Sequence, residues 1–74
     1  MTKVPDITGK TAIKAFEKYG WNIKSQRGSH AKLIKKGVNH FLIIPIHNKT
    51  IPKGTLSNII KDAGLTVQEF VDLL

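Results

Sequence analysis

The apolar residues of this chain change their spacing twice, and the two changes dictate its layers. Between Thr8 and Gly20, Ala12, Ile13, Phe16 and Tyr19 recur at helical spacing. From Trp21 the period falls to two. "WNIKSQR" sets Trp21, Ile23 and Ser25 against Asn22, Lys24 and Gln26. "GS" makes a turn, and "HAKLIKK" sets Ala31 and Leu33 against His30, Lys32 and Ile34. "GVN" makes the next turn before "HFLIIP", a short strand with apolar residues on both faces. Beyond the polar loop "HNKTIPKG", Leu56, Ile59, Ile60 and Ala63 restore the helical period, and Gly64 stops it. Thr66 with Glu69 fits a capping box, opening a short last helix with Val67, Phe70, Val71 and Leu74. The order α-β-β-β-α(-α) predicts an α+β two-layer sandwich with a three-stranded antiparallel sheet. Its 74 residues are enough for one small domain, expected to span 1–74.

Local signals refine this plan. Thr8 is the expected N-cap of the first helix, and Gly20 its stop. Lys10, Lys14, Glu17 and Lys18 fall on that helix's solvated side. If Trp21, Ile23, Ala31 and Leu33 face the helices, then Lys24, His30 and Lys32 face away, beside Ile34 and part of the third strand. That second face is basic and partly apolar. It reads either as a surface for a protein partner or self-association, or as ground covered by the last helix or the chain ends.

Charge narrows the class of partner. Twelve Lys and Arg against five Asp and Glu give a formal net charge of +7. On so small a domain this is the electrostatic footprint of a nucleic-acid binder. No helix joins a basic face to a large exposed apolar one, which argues against a membrane surface. The chain has no cysteine, so disulfides and thiolate metal sites are excluded. Its three histidines and five carboxylates are scattered, so no metal centre or cofactor is expected. "MTKVPDITGK" has no apolar signal region and the longest apolar run is "FLII", so a cytoplasmic protein without a membrane span is expected.

His30 is the first candidate for chemistry. It follows Gly28 and Ser29, whose turn should fix its backbone, and strand parity points it away from the core. Arg27, Lys24 and Lys32 should lie close by. Imidazole exchanges protons near neutral pH, and clustered cations bind a phosphate and stabilise charge developing on it. RNA cleavage fits this set, because the ribose 2′-OH supplies the nucleophile and no serine, cysteine or metal is required. On chemistry alone, a lone histidine is more often a solvated member of a phosphate-binding patch, and that reading stays open. His40 reads as a solvated residue at the start of the third strand. His47 could approach a phosphate or act as a second proton-transfer group, with loop structuring as the plainer role. Lys49 and Lys53 precede a helix N-terminus, a ready anion site, in a loop otherwise capped by Thr55. Trp21 reads as a core anchor.

Taken together, "GWNIKSQRGSHAKL" and "IPIHNKTIPKGTLSNIIKDAGLTVQEFVDLL" resemble the HicA family of mRNA interferase toxins, over Lys10 to Leu74. The resemblance lies in several ordered motifs: the helix ending in Tyr-Gly-Trp, the Gly-Ser-His turn and the Pro-x-His segment. The Lys-Gly-Thr-Leu helix start and the Ala-Gly-Leu-Thr then Glu-Phe ending complete it. It implies a fold similar to a double-stranded RNA-binding domain and endoribonuclease activity against mRNA, without a cofactor. It makes His30 the catalytic residue and a HicB antitoxin the partner that covers the active face. Many members carry a second histidine after the first, where this chain has Ala31; parity directs Ala31 to the opposite face. Two other readings remain: a non-catalytic double-stranded RNA-binding module, and a protein-interaction domain whose charge merely keeps it in solution.

Overall fold

The computed structural model of the protein describes residues 2–74. Thr8 is extended, and its hydroxyl accepts a hydrogen bond from the Thr11 N–H, so the helix α1 (Gly9–Lys18) starts where its cap dictates. Three strands follow, β1 (Trp21–Arg27), β2 (His30–Lys35) and β3 (Leu42–Pro45), then the helices α2 (Lys53–Asp62) and α3 (Val67–Val71). The sheet order is β1-β2-β3, with both pairings antiparallel. This is the predicted α-β-β-β-α-α arrangement.

The helices lie on one face of the sheet. Ala31 and Leu33 of β2, and Leu42 and Ile44 of β3, are buried among Phe16, Leu56, Ile60 and Phe70. The Phe16 and Phe70 rings sit 4.8 Å apart and tie the first helix to the last. Each fully buried phenyl group contributes about 1.5–3 kcal/mol, a large share for so small a core. α3 begins with the predicted capping box: Thr66 Oγ1 accepts from the Glu69 N–H, and Glu69 Oε1 accepts from the Thr66 N–H.

Several expectations are corrected. α2 is capped by Pro52 and not by Thr55, which lies inside the helix. Tyr19 and Leu74 are exposed, because each falls past the last full turn of its helix. The Tyr19 ring instead receives the Lys35 ammonium at 3.7 Å from its centroid. Ile23 is 49% exposed, although it lies opposite buried Leu33. The helices cover β1 only at Trp21, the one buried residue of that strand.

The register of β1 holds the most consequential departure. Ile23 pairs with Leu33, but Ser25 pairs with Lys32, so Lys24 is an extra, bulged residue without a partner. From that point parity reverses. Ser25 and Arg27 share the open face with Lys32 and His30. The β1–β2 turn is Gly28-Ser29, with Gly28 at φ +58° and Ser29 at negative φ, the pattern of a type II′ hairpin turn.

The end of β3 is clamped from two sides. The Ile46 N–H donates to the Ser29 carbonyl at 2.7 Å. On the other side, a Cβ at Gly9 would overlap the Pro45 carbonyl oxygen and stand 2.9 Å from its carbon, so only glycine lets α1 approach this closely. The residues leading into α1 are tied to the same region by a Thr8–Thr50 bridge and by the Ile51 N–H donating to the Ile7 carbonyl at 2.9 Å.

Candidate active site on the open sheet face

No helix crosses the second face of the sheet. β2 presents His30, Lys32 and Ile34 there, the residues alternating with buried Ala31 and Leu33. Cross-strand partners share a face, so Arg27 joins His30 and Ser25 joins Lys32 from β1, while Ile43 joins Lys32 from β3. Arg27, His30 and Lys32 line an open depression of about 610 Å³, with Ser25 and Gln26 on one side and Phe41 and Ile43 on the other.

Each group is placed by an identifiable cause. His30 is the first residue after the tight turn and pairs with Pro45 as well as Arg27, so its backbone is held from both sides. Its side chain is exposed. Lys32 is half-buried, and its ammonium lies 4.2 Å from the Phe41 ring centroid. His47, two residues past β3, brings its ring centroid to 6.2 Å from that of His30, edge-on at 79°. A proton-exchanging ring, a guanidinium and an ammonium thus converge on one solvent-open hollow. Such a set can hold a phosphodiester and move a proton at it.

Apolar residues border this hollow. Ile34, Phe41 and Ile43 are 41%, 51% and 43% exposed on or beside the open face. Among the described residues neither α3 nor the chain ends cover them, so the partly apolar face stands open.

The family model for the HicA toxin of bacterial toxin-antitoxin systems matches residues 9–65. The chain belongs to the HicA toxin family. It is the toxin type of a toxin-antitoxin system, and such a toxin has an antitoxin counterpart. No curated protein matches the chain significantly. Among the described residues no helix is long and apolar enough to cross a membrane.

The residues singled out in this HicA chain divide into two groups. His30, Arg27 and Lys32 meet at the depression, and His47 stands beside it. Gly28 makes the sharp turn, and Ser29 contributes its carbonyl to the clamp on Ile46. Lys24, Lys49 and Lys53 are not among the lining residues. Lys24 occupies the bulge, and Lys49 is an exposed loop residue. Lys53 opens α2, where its ammonium stands 3.7 Å from Asp6 in the one ion pair among the described residues. It borders a separate hollow with Thr2, Lys3 and Val4.

His40 is not the merely solvated residue expected. Its Nε2–H donates to the Asp62 carbonyl at 2.6 Å, and its ring lies 5.9 Å from that of Trp21, so it fastens the entry of β3 to the end of α2. Ala31 is fully buried opposite Ile44, so the position after His30 points away from this site. Sequence reasoning missed Ser25 and Gln26. The placement of Ser25 follows from the bulge, which alternation counted from Trp21 does not reveal. Counting backwards from the Gly28-Ser29 turn would have put Arg27 and Ser25 on the open face.

Proposed function

We propose that this HicA toxin is an mRNA-cleaving endoribonuclease in which His30 transfers protons at the scissile phosphate. A HicB-type antitoxin neutralises it by covering the open sheet face. The observation that carries this reading is the grouping of His30, Arg27 and Lys32 around one uncovered depression.

In this mechanism, the ribose 2′-OH attacks the adjacent phosphorus, and His30 acts as general base or general acid. A positioned proton-transfer group contributes typically about 10²–10⁴-fold to rate. Arg27 grips the non-bridging phosphate oxygens with its planar fork, and Lys32 adds a point charge as the phosphorane forms. The backbone around Gly28 and Ser29 brings the strand against the turn, while Lys24, Lys49 and Lys53 add attraction from outside the depression. Side chains supply both the proton transfer and the neutralising charge, so cleavage is expected to survive EDTA. The exposed Ile34, Phe41 and Ile43 are the kind of apolar surface that a protein partner covers. An antitoxin seated there would exclude RNA from His30.

The test is RNA cleavage in EDTA by the parent protein and by His30→Ala, compared at concentrations giving equal RNA binding. Loss of cleavage with binding retained supports the assignment. Equal cleavage by both removes His30 from the chemistry. Tight, salt-sensitive binding with no cleavage by either protein replaces the enzyme with an RNA-binding module.

A further inference from the structure

Three histidines occur in the chain, and their surroundings differ. The imidazole of His40 is engaged by the Asp62 carbonyl. Among the described residues neither His30 nor His47 is so engaged, and both are exposed. Their proximity is built by the backbone. The residue before His30 accepts a hydrogen bond from the residue before His47, Ser29 to Ile46 at 2.7 Å. Pro45 pairs with His30 on the adjoining rung, and α1 presses on Pro45 through Gly9. The two histidines are therefore held on adjoining segments, and their rings lie 6.2 Å apart and edge-on, so neither covers the other by stacking.

That proximity places both imidazoles within reach of one phosphodiester. The attacking and departing oxygens of an in-line displacement lie on opposite sides of phosphorus. Each needs its own hydrogen bond of about 2.8 Å, and the two exposed imidazoles can turn outwards to admit the phosphate between them. We infer that His47 is the second catalytic residue of RNA cleavage, working with His30 as an acid–base pair. The inference rests on the ribonuclease reading and completes it, since that reading leaves one of the two proton transfers without an owner.

The step balances as follows. One unprotonated imidazole takes the proton of the 2′-OH as the O2′–P bond forms. The P–O5′ bond breaks with its electron pair going to O5′, and the protonated imidazole of the other histidine delivers a proton there. The products are a 2′,3′-cyclic phosphate and a 5′-hydroxyl. Nothing is oxidised or reduced. The histidines finish with exchanged protonation and are reset by water.

The experiment uses an oligoribonucleotide containing a cleavage site first mapped with the parent protein. A second version carries sulfur in place of the 5′-bridging oxygen at that linkage. A thiolate leaves without protonation, so the sulfur substrate relieves the need for a general acid and for nothing else. On ordinary RNA, His47→Ala and His30→Ala are each expected to slow cleavage by about 10²–10⁴-fold. On the sulfur substrate, one of the two variants recovers most of the parent rate and the other does not; the recovered one identifies the acid. His47→Gln keeps size and hydrogen bonding but cannot shuttle a proton, and is expected to fail on ordinary RNA like His47→Ala.

Parent-like cleavage of ordinary RNA by either His47 variant overturns the inference. Failure of both alanine variants to recover on the sulfur substrate overturns it as well, because a merely structural loss is blind to the leaving group. A parent protein that cleaves no RNA overturns the ribonuclease reading itself, and the pair with it.

Discussion

Arg27 stands directly across the β1–β2 hairpin from His30, and it faces the same solvent-open side because β1 carries one residue more than its partner. Were Lys24 paired in the ladder instead of bulged, strict alternation from Trp21 would turn Arg27 towards the helices. The pairing suggests a division of labour between a phosphate fork and a proton-transfer group.

Arg27→Ala is expected to lower kcat/KM on RNA by about 10–100-fold, the equivalent of one charge-assisted hydrogen-bonding contact. Arg27→Lys should recover only part of this, since an ammonium cannot grip two phosphate oxygens in one plane. In the His30→Ala background, Arg27→Ala should also flatten the salt dependence of single-stranded RNA binding by about 0.7 in log–log slope. A lysine variant as active as the parent would remove the fork from the mechanism.

Lys24 has no partner in the ladder, and the pairs on either side of it stay aligned if it is removed. Deletion of Lys24 is therefore expected to give a folded protein with Ser25 opposite Lys32 and Arg27 opposite His30. Its cleavage at saturating RNA should be comparable to that of the parent, with RNA binding weakened only by the loss of one outlying charge. Circular dichroism and a cleavage assay check this together. A folded but inactive deletion variant would mean that the local twist of the bulge, and not only the register, shapes the site.

Ile34 is exposed on the open face but lies outside the depression. Ile34→Asp should leave RNA cleavage unchanged and weaken inhibition by the antitoxin about 30-fold or more, the effect of losing a hydrophobic anchor of about 2 kcal/mol. Titrating cleavage with the purified antitoxin reads both quantities in one assay. Unchanged inhibition would place the antitoxin elsewhere on the molecule.

Gly9→Ala puts a methyl group where the Pro45 carbonyl already stands, and the obstacle is backbone rather than a flexible side chain. A loss of about 1–3 kcal/mol is expected in urea unfolding. For a domain of this size each kcal/mol lowers the melting temperature by about 4–8 °C. Parent-like stability would show that α1 can back away from β3 at little penalty.

Most of the architecture was legible because its signals are local. The change of period at Trp21, the Thr66–Glu69 capping box and the Gly28-Ser29 turn each concern residues a few places apart. The face of His30 followed from its position next to buried Ala31 and Leu33. Three features were not legible in that way. The bulge at Lys24 depends on how β1 meets β2, and alternating apolar letters do not record an extra residue. The exposure of Ile23 reflects how far the helices reach over the sheet. The role of His40 is tertiary, its ring meeting a carbonyl 22 residues later in the chain; His47 was named as a candidate, but its placement beside the ring of His30, 17 residues earlier, was not legible.

The irregularity in β1 has a consequence beyond the site. β1 is an outer strand, and the unpaired flank of such a strand is ordinarily a template on which a stranger's strand can add. Lys24 breaks this flank partway along, with a charged residue out of step with its neighbours. An incoming strand could not zip along it without skipping a place. Growth of the sheet along the β1 edge is thus impeded, with the open face that carries His30 left as it is.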